Sequence, residues 1–493
     1  MSTWLGCRAV VALALSTAGA GVAQSLAAQG DGRRSNAATV DSARLARFVD
    51  SVITAEMTRQ RIPGAAFVLV HRGRVLYARG YGVASVEPRR PVDPARTIWR
   101  VGSISKTFTA TAVAQLAGRG VLHLGADVNG YLKGVTVPST YPLPVTVTDL
   151  LTHTSGFDEV RPGTQAPTED QVLPLADFLR PRLVRVRPPG TFIAYNTYGI
   201  TLAGALIESA TGTAFESFLR TTIWEPLGMS STSITVPSAQ RTHVALGYEL
   251  RGESLVPQPW EWYHTTPASS VNSTAMDMAR YMIAHLEGGR IGDRRAWPES
   301  VAVQMMRQHV TIHARVPGVT LGFFEDYVGA LRVVEHGGNM AGFSSQMTLI
   351  PSEHAGFFIV SHLEGATLRD ALREALLKWL YPAARVRHPV PTPAPDFASR
   401  AKAFLGRYAP TIGCNSCTPR RVPYVVQVTL ADNALFMFGK RWIEVDPLVF
   451  VREDGTGHIA FQLDSSGRVA SMSAGAFWSF EKLPDGGTDQ SAR

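Results

Sequence analysis

Ser103 and Lys106, three residues apart in "RVGSISKTF", are the residue types of nucleophilic acyl transfer. The chain holds 48 Lys and Arg residues, of which only six are lysine. A lysine at 106 therefore asks for a chemical reason. An arginine guanidinium stays protonated in proteins, whereas a buried lysine can lose its proton and act as a base. The pair follows an extended apolar stretch, "TIWRVG", and opens a helical one, "ISKTFTATAVAQLAG". Residues three apart share a helix face, so the amine can reach the hydroxyl. The helix N-terminus favours a developing alkoxide. Spacing alone is weak, because Ser399 and Lys402, and Ser479 and Lys482, repeat it. Context separates the first pair from the others.

The surrounding elements must position that pair. Apolar residues at helical spacing in "SARLARFVDSVITAEMTRQRI" predict a helix from about 41 to 60. "PGAAFVLVHRGRVLYARGYGVAS" alternates and breaks at Arg72-Gly73, which reads as a hairpin. Residues 104–119 read as a helix. "AYNTYGITLAGALIESATG" and "STAMDMARYMIAHLEGG" are the clearest helices of the long middle region. "YVGALRVVEHGG", "GFSSQMTLIPSE" and "AGFFIVSHLEG" read as three successive strands, closed by the helix "TLRDALREALLKWLYP". Strands at both ends with helices between imply an α+β domain over 41–381. It has one antiparallel sheet flanked by helices and an inserted helical subdomain. A proline-rich linker spans 382–397. Closely spaced short strands over 398–485 then predict a small all-β domain, sandwich or barrel.

The 493-residue chain has a formal charge of +8. Such an excess suits anionic wall polymers or lipid headgroups, or reflects an arginine-rich composition. No basic run is interleaved with aromatics, so nucleic-acid binding finds no support. Residues 1–28 read as a secretory signal, with cleavage expected after Ala23 or Ala28; a short membrane anchor is the alternative. Residues 29–40 read as a disordered lead-in. The expected location is secreted or periplasmic, with no integral membrane span after processing. Cys414 and Cys417 then remain, as a disulfide loop, as free thiols or, with further ligands, as a metal site.

The S-x-x-K pair, in its setting, resembles the nucleophile motif of β-lactamases and penicillin-binding proteins. The chain is similar to the class C-type branch of serine β-lactamase-related hydrolases, which includes D-aminopeptidases, D-Ala-D-Ala carboxypeptidases and esterases. The likeness covers about residues 45–380. It rests on "IPGAAFVLVHRGRVLYARGYG", "VGSISKTF", "DLLTHTSGF", "PGTFIAYNTYG", "EPLGM", "SSVNSTAMDMARYM" and "EHGGNMAGFSS". The resemblance implies that fold, and a lipocalin-like identity for the C-terminal domain.

The same resemblance assigns residues. Ser103 is the nucleophile and Lys106 its partner. Tyr195 matches the family tyrosine, a general base or proton relay whose phenolate Lys106 would support. Thr197 stands where the family has an asparagine, which puts classical lactam recognition in doubt. His336-Gly337-Gly338 replaces Lys-Thr-Gly, so a mostly neutral histidine takes the place of a carboxylate-binding lysine. Gly338 admits a substrate close to the strand. The backbone N–H of Asn339 pairs with that of Ser103 as an oxyanion hole. His153 shapes its loop. Trp260, Trp262 and Tyr263 either line the cleft or pack a loop. No metal or organic cofactor is implied. The expected function is an exported serine hydrolase acting through an acyl-enzyme on peptide or amide substrates of D-amino-acid type, a small molecule or a peptide, with cell-wall contact. The alternatives are a carboxylesterase, a β-lactamase, or a non-catalytic penicillin-recognising sensor or wall-binding module.

Overall fold

The computed structural model describes residues 41–385, 392–417, 422, 424–455 and 457–484. The expected signal and lead-in, and part of the linker, lie outside the described residues.

Helix α1 (Ser42–Gln60) starts where the Asp41 side chain accepts from the Ala43 N–H at 2.9 Å. It buries Leu45, Val49 and Ile53, one stripe at helical spacing. Strands β1 (Gly64–His71) and β2 (Arg74–Ser85) form the expected hairpin. Arg72 and Gly73 both take positive φ, 46° and 73°, the geometry that matches the twist of a two-residue hairpin. The short strand β3 (Arg90–Pro91) closes that edge of the sheet.

The remaining strands come from a distant part of the chain. They are β4 (Phe324–Val328), β5 (Leu331–Met340), β6 (Phe343–Ile350) and β7 (Ala355–Ser361). The order is β4-β5-β6-β7-β1-β2-β3, with antiparallel pairing throughout. The stretch "YVGALRVVEHGG", which reads as one strand, is a hairpin, because Gly329 takes φ 62° and turns β4 into β5. β1, β6 and β7 are buried along their whole length. Helices cover both faces of the sheet, so these strands need no polar side. Helices α2 (Ser105–Gly118) and α4 (Ala275–Leu286) contribute to the core on one face, and α1 and α5 (Leu368–Leu380) to the core on the other. Helix α3 (Thr197–Thr211) packs against α2 within the helical subdomain.

The C-terminal region is a closed eight-stranded barrel running from Gly406–Pro410 to Trp478–Lys482. Its interior is filled by rings. Phe404 lies 5.1 Å from Phe450 and 4.9 Å from Phe461, centroid to centroid. Cys414 and Cys417 form a disulfide. The loop it closes docks on the first domain. Asn415 and Ser416 donate four hydrogen bonds, 2.6–3.0 Å long, to the Asp158 carboxylate. Arg187 ties the same seam through Asn415 at 3.0 Å and Glu481 at 3.1 Å.

Candidate active site

The nucleophile turn is built by close backbone approach. Ser103 sits in a one-turn 3₁₀ segment, Gly102–Ile104, that feeds directly into α2. Gly102 takes φ 57°, and a Cβ there would lie 3.0 Å from the backbone nitrogen of Asn339. A Cβ on Gly338 would lie 2.0 Å from the Val101 carbonyl oxygen. Only glycines allow β5 to pass this close to the turn. Ser105 locks the turn from behind: its hydroxyl donates to the Gly102 carbonyl at 2.6 Å and accepts from the Val271 N–H at 2.9 Å. β4 pairs with β5 only as far as Glu335, so His336–Met340 present a free edge beside Ser103.

Lys106 is almost fully buried. Its Nζ donates to Ser103 Oγ at 3.1 Å and to the Ala268 carbonyl at 2.9 Å, and lies 4.8 Å from the Tyr195 ring centroid. Burial disfavours the charged amine and brings its pKa down to about 7; the Glu159 carboxylate opposes this and the Arg161 guanidinium adds to it. Tyr195 is hydrogen-bonded to Ser103, which favours its ionisation, but burial outweighs that bond and the phenol pKa is raised. Between the roles expected of Tyr195, general base or proton relay, this burial favours the relay. The amine is the more readily deprotonated of the two, so the tyrosine stands as a neutral hydroxyl between proton partners.

Besides the Lys106 amine, Tyr195 is surrounded by neutral rings. His153 takes φ 59°; its Nδ1 accepts from the Asn196 N–H at 3.1 Å, and its ring lies 4.6 Å from Tyr195. Burial holds its pKa well below the usual value. His336 donates from Nδ1 to the Gly337 carbonyl at 2.7 Å, which leaves Nε2 as a buried, unpaired acceptor. Its pKa is pushed down to about 3, first by burial and then by Lys106. It is neutral here, as its type suggests, and supplies no charge. Phe324 and, from the barrel, Phe477 complete the wall, with Phe477 4.9 Å from Tyr195.

The structure brings Ser103, Lys106, Tyr195, His336, Gly338 and the backbone of Asn339 together. Thr197 is held by Glu159, the carboxylate that acts on Lys106: its N–H donates to Glu159 at 2.7 Å, and its hydroxyl also bonds that carboxylate. Asn196 is occupied as the N-cap of α3, accepting from the Gly199 N–H at 2.7 Å. Sequence reasoning missed Glu159, the Ala268 carbonyl and Phe477. Glu159 follows "THTSGF" closely, but a lone acid in a loop carries no periodic signal. Neither a backbone carbonyl nor a ring from another domain has any signature at all.

A serine, a desolvated amine and a phenol gather at the edge of a helix-covered antiparallel sheet, the arrangement of the β-lactamase/transpeptidase fold. The chain belongs to the Beta-lactamase family, whose match covers residues 49–378. A Beta-lactamase of Escherichia coli (strain K12) is 30% identical over 242 residues, 49% of this chain and 61% of that protein. Protein flp of Staphylococcus aureus (strain N315) is 24% identical over 324 residues, 64% of this chain and 62% of that protein. The chain thus spans about three fifths of the length of these curated relatives. Among solved structures, the octameric penicillin-binding protein homologue from Pyrococcus abyssi superposes with a TM-score of 0.61 at 22% identity, covering 89% of this chain and 100% of that one. SurE with D-Leu gives 0.61 at 22% identity, with the same coverage. These two likenesses extend over the barrel and concern the fold.

Proposed function

We propose that the protein is an exported acyl hydrolase that forms an acyl-enzyme on Ser103. The single observation that carries this reading is the 3.1 Å contact between Ser103 Oγ and a lysine whose pKa lies near 7. Neutral Lys106 accepts the Ser103 proton, directly or through the Tyr195 hydroxyl, as Oγ attacks the substrate carbonyl. The N–H groups of Ser103 and Asn339 receive the developing oxyanion, an arrangement consistent with the 3.0 Å approach at Gly102. Tyr195 passes the proton to the leaving group, and the acyl ester forms as that bond breaks. Water then enters by the reverse relay, frees the acid and restores Ser103.

For the substrate we propose amides or peptides of D-amino-acid type. The solved neighbour holding D-Leu supports that direction. Ester cleavage is the second reading, favoured by two observations. His336 is neutral where a substrate carboxylate would seek a cation, and Thr197 spends its one hydroxyl proton on Glu159, so it has none to donate to an amide carbonyl.

Intact-protein mass spectrometry after a fluorophosphonate probe, followed by turnover of D-aminoacyl amides, short esters and β-lactams, tests both readings. Labelling at Ser103 and loss of turnover by ~1,000-fold or more in Ser103→Ala are expected. An unlabelled, folded protein would leave a non-catalytic binding module as the better reading.

A further inference from the structure

A second concave feature lies at the other end of the β5 edge from Tyr195. It is a cavity of about 530 Å³, within the size range of small-molecule sites. None of Ser103, Lys106, Tyr195, His336 and Asn339 lines it, but three elements that carry its lining run on into the site. Arg100 lines it and lies three residues before Ser103, in a two-residue strand paired with Asn272. Thr266 lines it from the short helix Thr266–Ser269, whose Ala268 carbonyl holds Lys106. Phe343 lines it just past Asn339, opposite Met340 across the β5–β6 turn.

The chemistry of its wall is uneven. Trp260, Trp262 and Tyr263 give it broad aromatic faces. Arg100 is 3% exposed, yet among the described residues no carboxylate lies within ion-pair distance of it. Its Nη2 donates to the Glu261 backbone carbonyl at 2.7 Å, and its guanidinium lies 4.5 Å from the Trp260 ring and 5.7 Å from that of Tyr263. Glu261 also lines the cavity and acts on Arg100 through its charge, while its oxygens accept from the Tyr263 hydroxyl and from Gln165, each at 2.5 Å; of the other two lining acids, Glu169 pairs with Arg241 and Glu87 stands at the rim with Pro88 and Arg90. Arg90, also on the wall, donates to the Thr242 and Val244 carbonyls and to Ser85, with no acid among these partners. Burial lowers the Arg100 pKa only to about 10, so the cation persists at neutral pH. Glu261 offsets part of the cost of burying this cation, burial still outweighs it, and an anionic ligand would relieve what remains.

We propose that this cavity is the acyl-side subsite and that it takes an apolar or aromatic acyl group ending in a carboxylate, bound by Arg100. The orientation rests on the reading of Ser103 and Tyr195 above. Tyr195 delivers the leaving-group proton, so the leaving group lies toward Tyr195, Phe324 and Phe477. We place the acyl portion on the opposite side, past Asn339 toward Phe343 and Arg100. The bond to Arg100 is a charge-assisted contact in a low-dielectric pocket, the strong kind, while the aromatic faces take the body of the acyl group.

Isothermal titration calorimetry of the full-length Ser103→Ala variant with 4-phenylbutyrate and 4-phenylbutyramide tests this without needing turnover. The acid is expected to bind roughly tenfold or more tightly than the amide. Arg100→Met should erase the difference while amide binding stays in place. Equal affinity for acid and amide, or no binding of either, overturns the proposal, and so does an acid preference that survives Arg100→Met. If Arg100→Met does not fold, the acid and amide comparison in the Ser103→Ala protein alone still decides. Fluorophosphonate labelling is read separately, so a pocket without acid preference in a labelled enzyme sinks this inference and leaves the hydrolase reading standing.

Discussion

Phe477, from the turn between the last two strands of the barrel, packs its ring 4.9 Å from that of Tyr195 and 5.0 Å from Phe324. The second domain therefore forms part of the wall around the reacting groups. By covering Tyr195 it adds to the burial that keeps the phenol protonated.

Phe477→Ala should open this wall. We expect kcat/KM for substrates with bulky leaving groups to rise relative to small ones, while acylation by a small fluorophosphonate stays within a few fold. Competition between a methyl ester and a naphthyl ester of one acid gives the ratio. An unchanged ratio would show that the barrel ring does not limit the leaving group.

The rate should report the protonation of Lys106. A base with a pKa of about 7 makes kcat/KM rise with pH through that value. Glu159 holds the Lys106 pKa up, so Glu159→Gln should move the profile to lower pH. Lys106→Arg keeps the charge, cannot release the proton, and should be nearly inactive. A pH profile that does not move in Glu159→Gln, or a Lys106→Arg rate within a few fold of wild type, would remove Lys106 from the role of base.

Asp158 ties the two domains together. It receives four hydrogen bonds from the disulfide loop at Asn415 and Ser416, and these outweigh burial to lower its pKa. Asp158→Ala strands those donors, which costs about 1–3 kcal/mol for each buried group left unpaired. Limited proteolysis should then separate the barrel from the first domain, and turnover should change because Phe477 leaves the site. Cys414→Ser with Cys417→Ser should act in the same direction more weakly, since the loop loses a closure and keeps its donors. Intact docking of the barrel in Asp158→Ala would show that Arg187 and Phe477 hold it without this latch.

Much of this arrangement is legible in the chain because it is local. Ser103 and Lys106 stand out through spacing on one helix. The β1–β2 hairpin stands out through Arg72-Gly73. Apolar runs mark β6 and β7. What stayed hidden depends on contacts between distant segments. β4 merges with β5 in the sequence because a single glycine turn separates two similar runs. Most of the region between α2 and β4 is loop and short helix, with too little periodicity to place Glu159 or Ala268. Tyr195 is legible as a motif, but its ionisation is set first by burial, to which rings from distant parts of the chain such as Phe324 and Phe477 contribute, and then by Ser103 and Glu159.

Buried neutral histidines should make the fold sensitive to mild acid. His285 and His336 are pushed down to about 3 and His362 to about 4, in each case first by burial. The unfolded chain protonates its histidines at about 6.5. Below that pH the unfolded state binds protons that the folded state does not, so stability is complete above about 6.5 and falls as the pH drops toward 4. Each such group steepens the fall by up to about 1.4 kcal/mol per pH unit. His285 packs among Tyr281, Trp297 and Phe323, away from the nucleophile, and suits a test. Urea unfolding at pH 7.5, 6.5 and 5.5 should show stability declining over the last interval. His285→Leu should lessen that slope, whatever offset the substitution brings at pH 7.5. A slope identical to that of wild type would mean that His285 protonates within the folded protein, and that its pocket admits a charge.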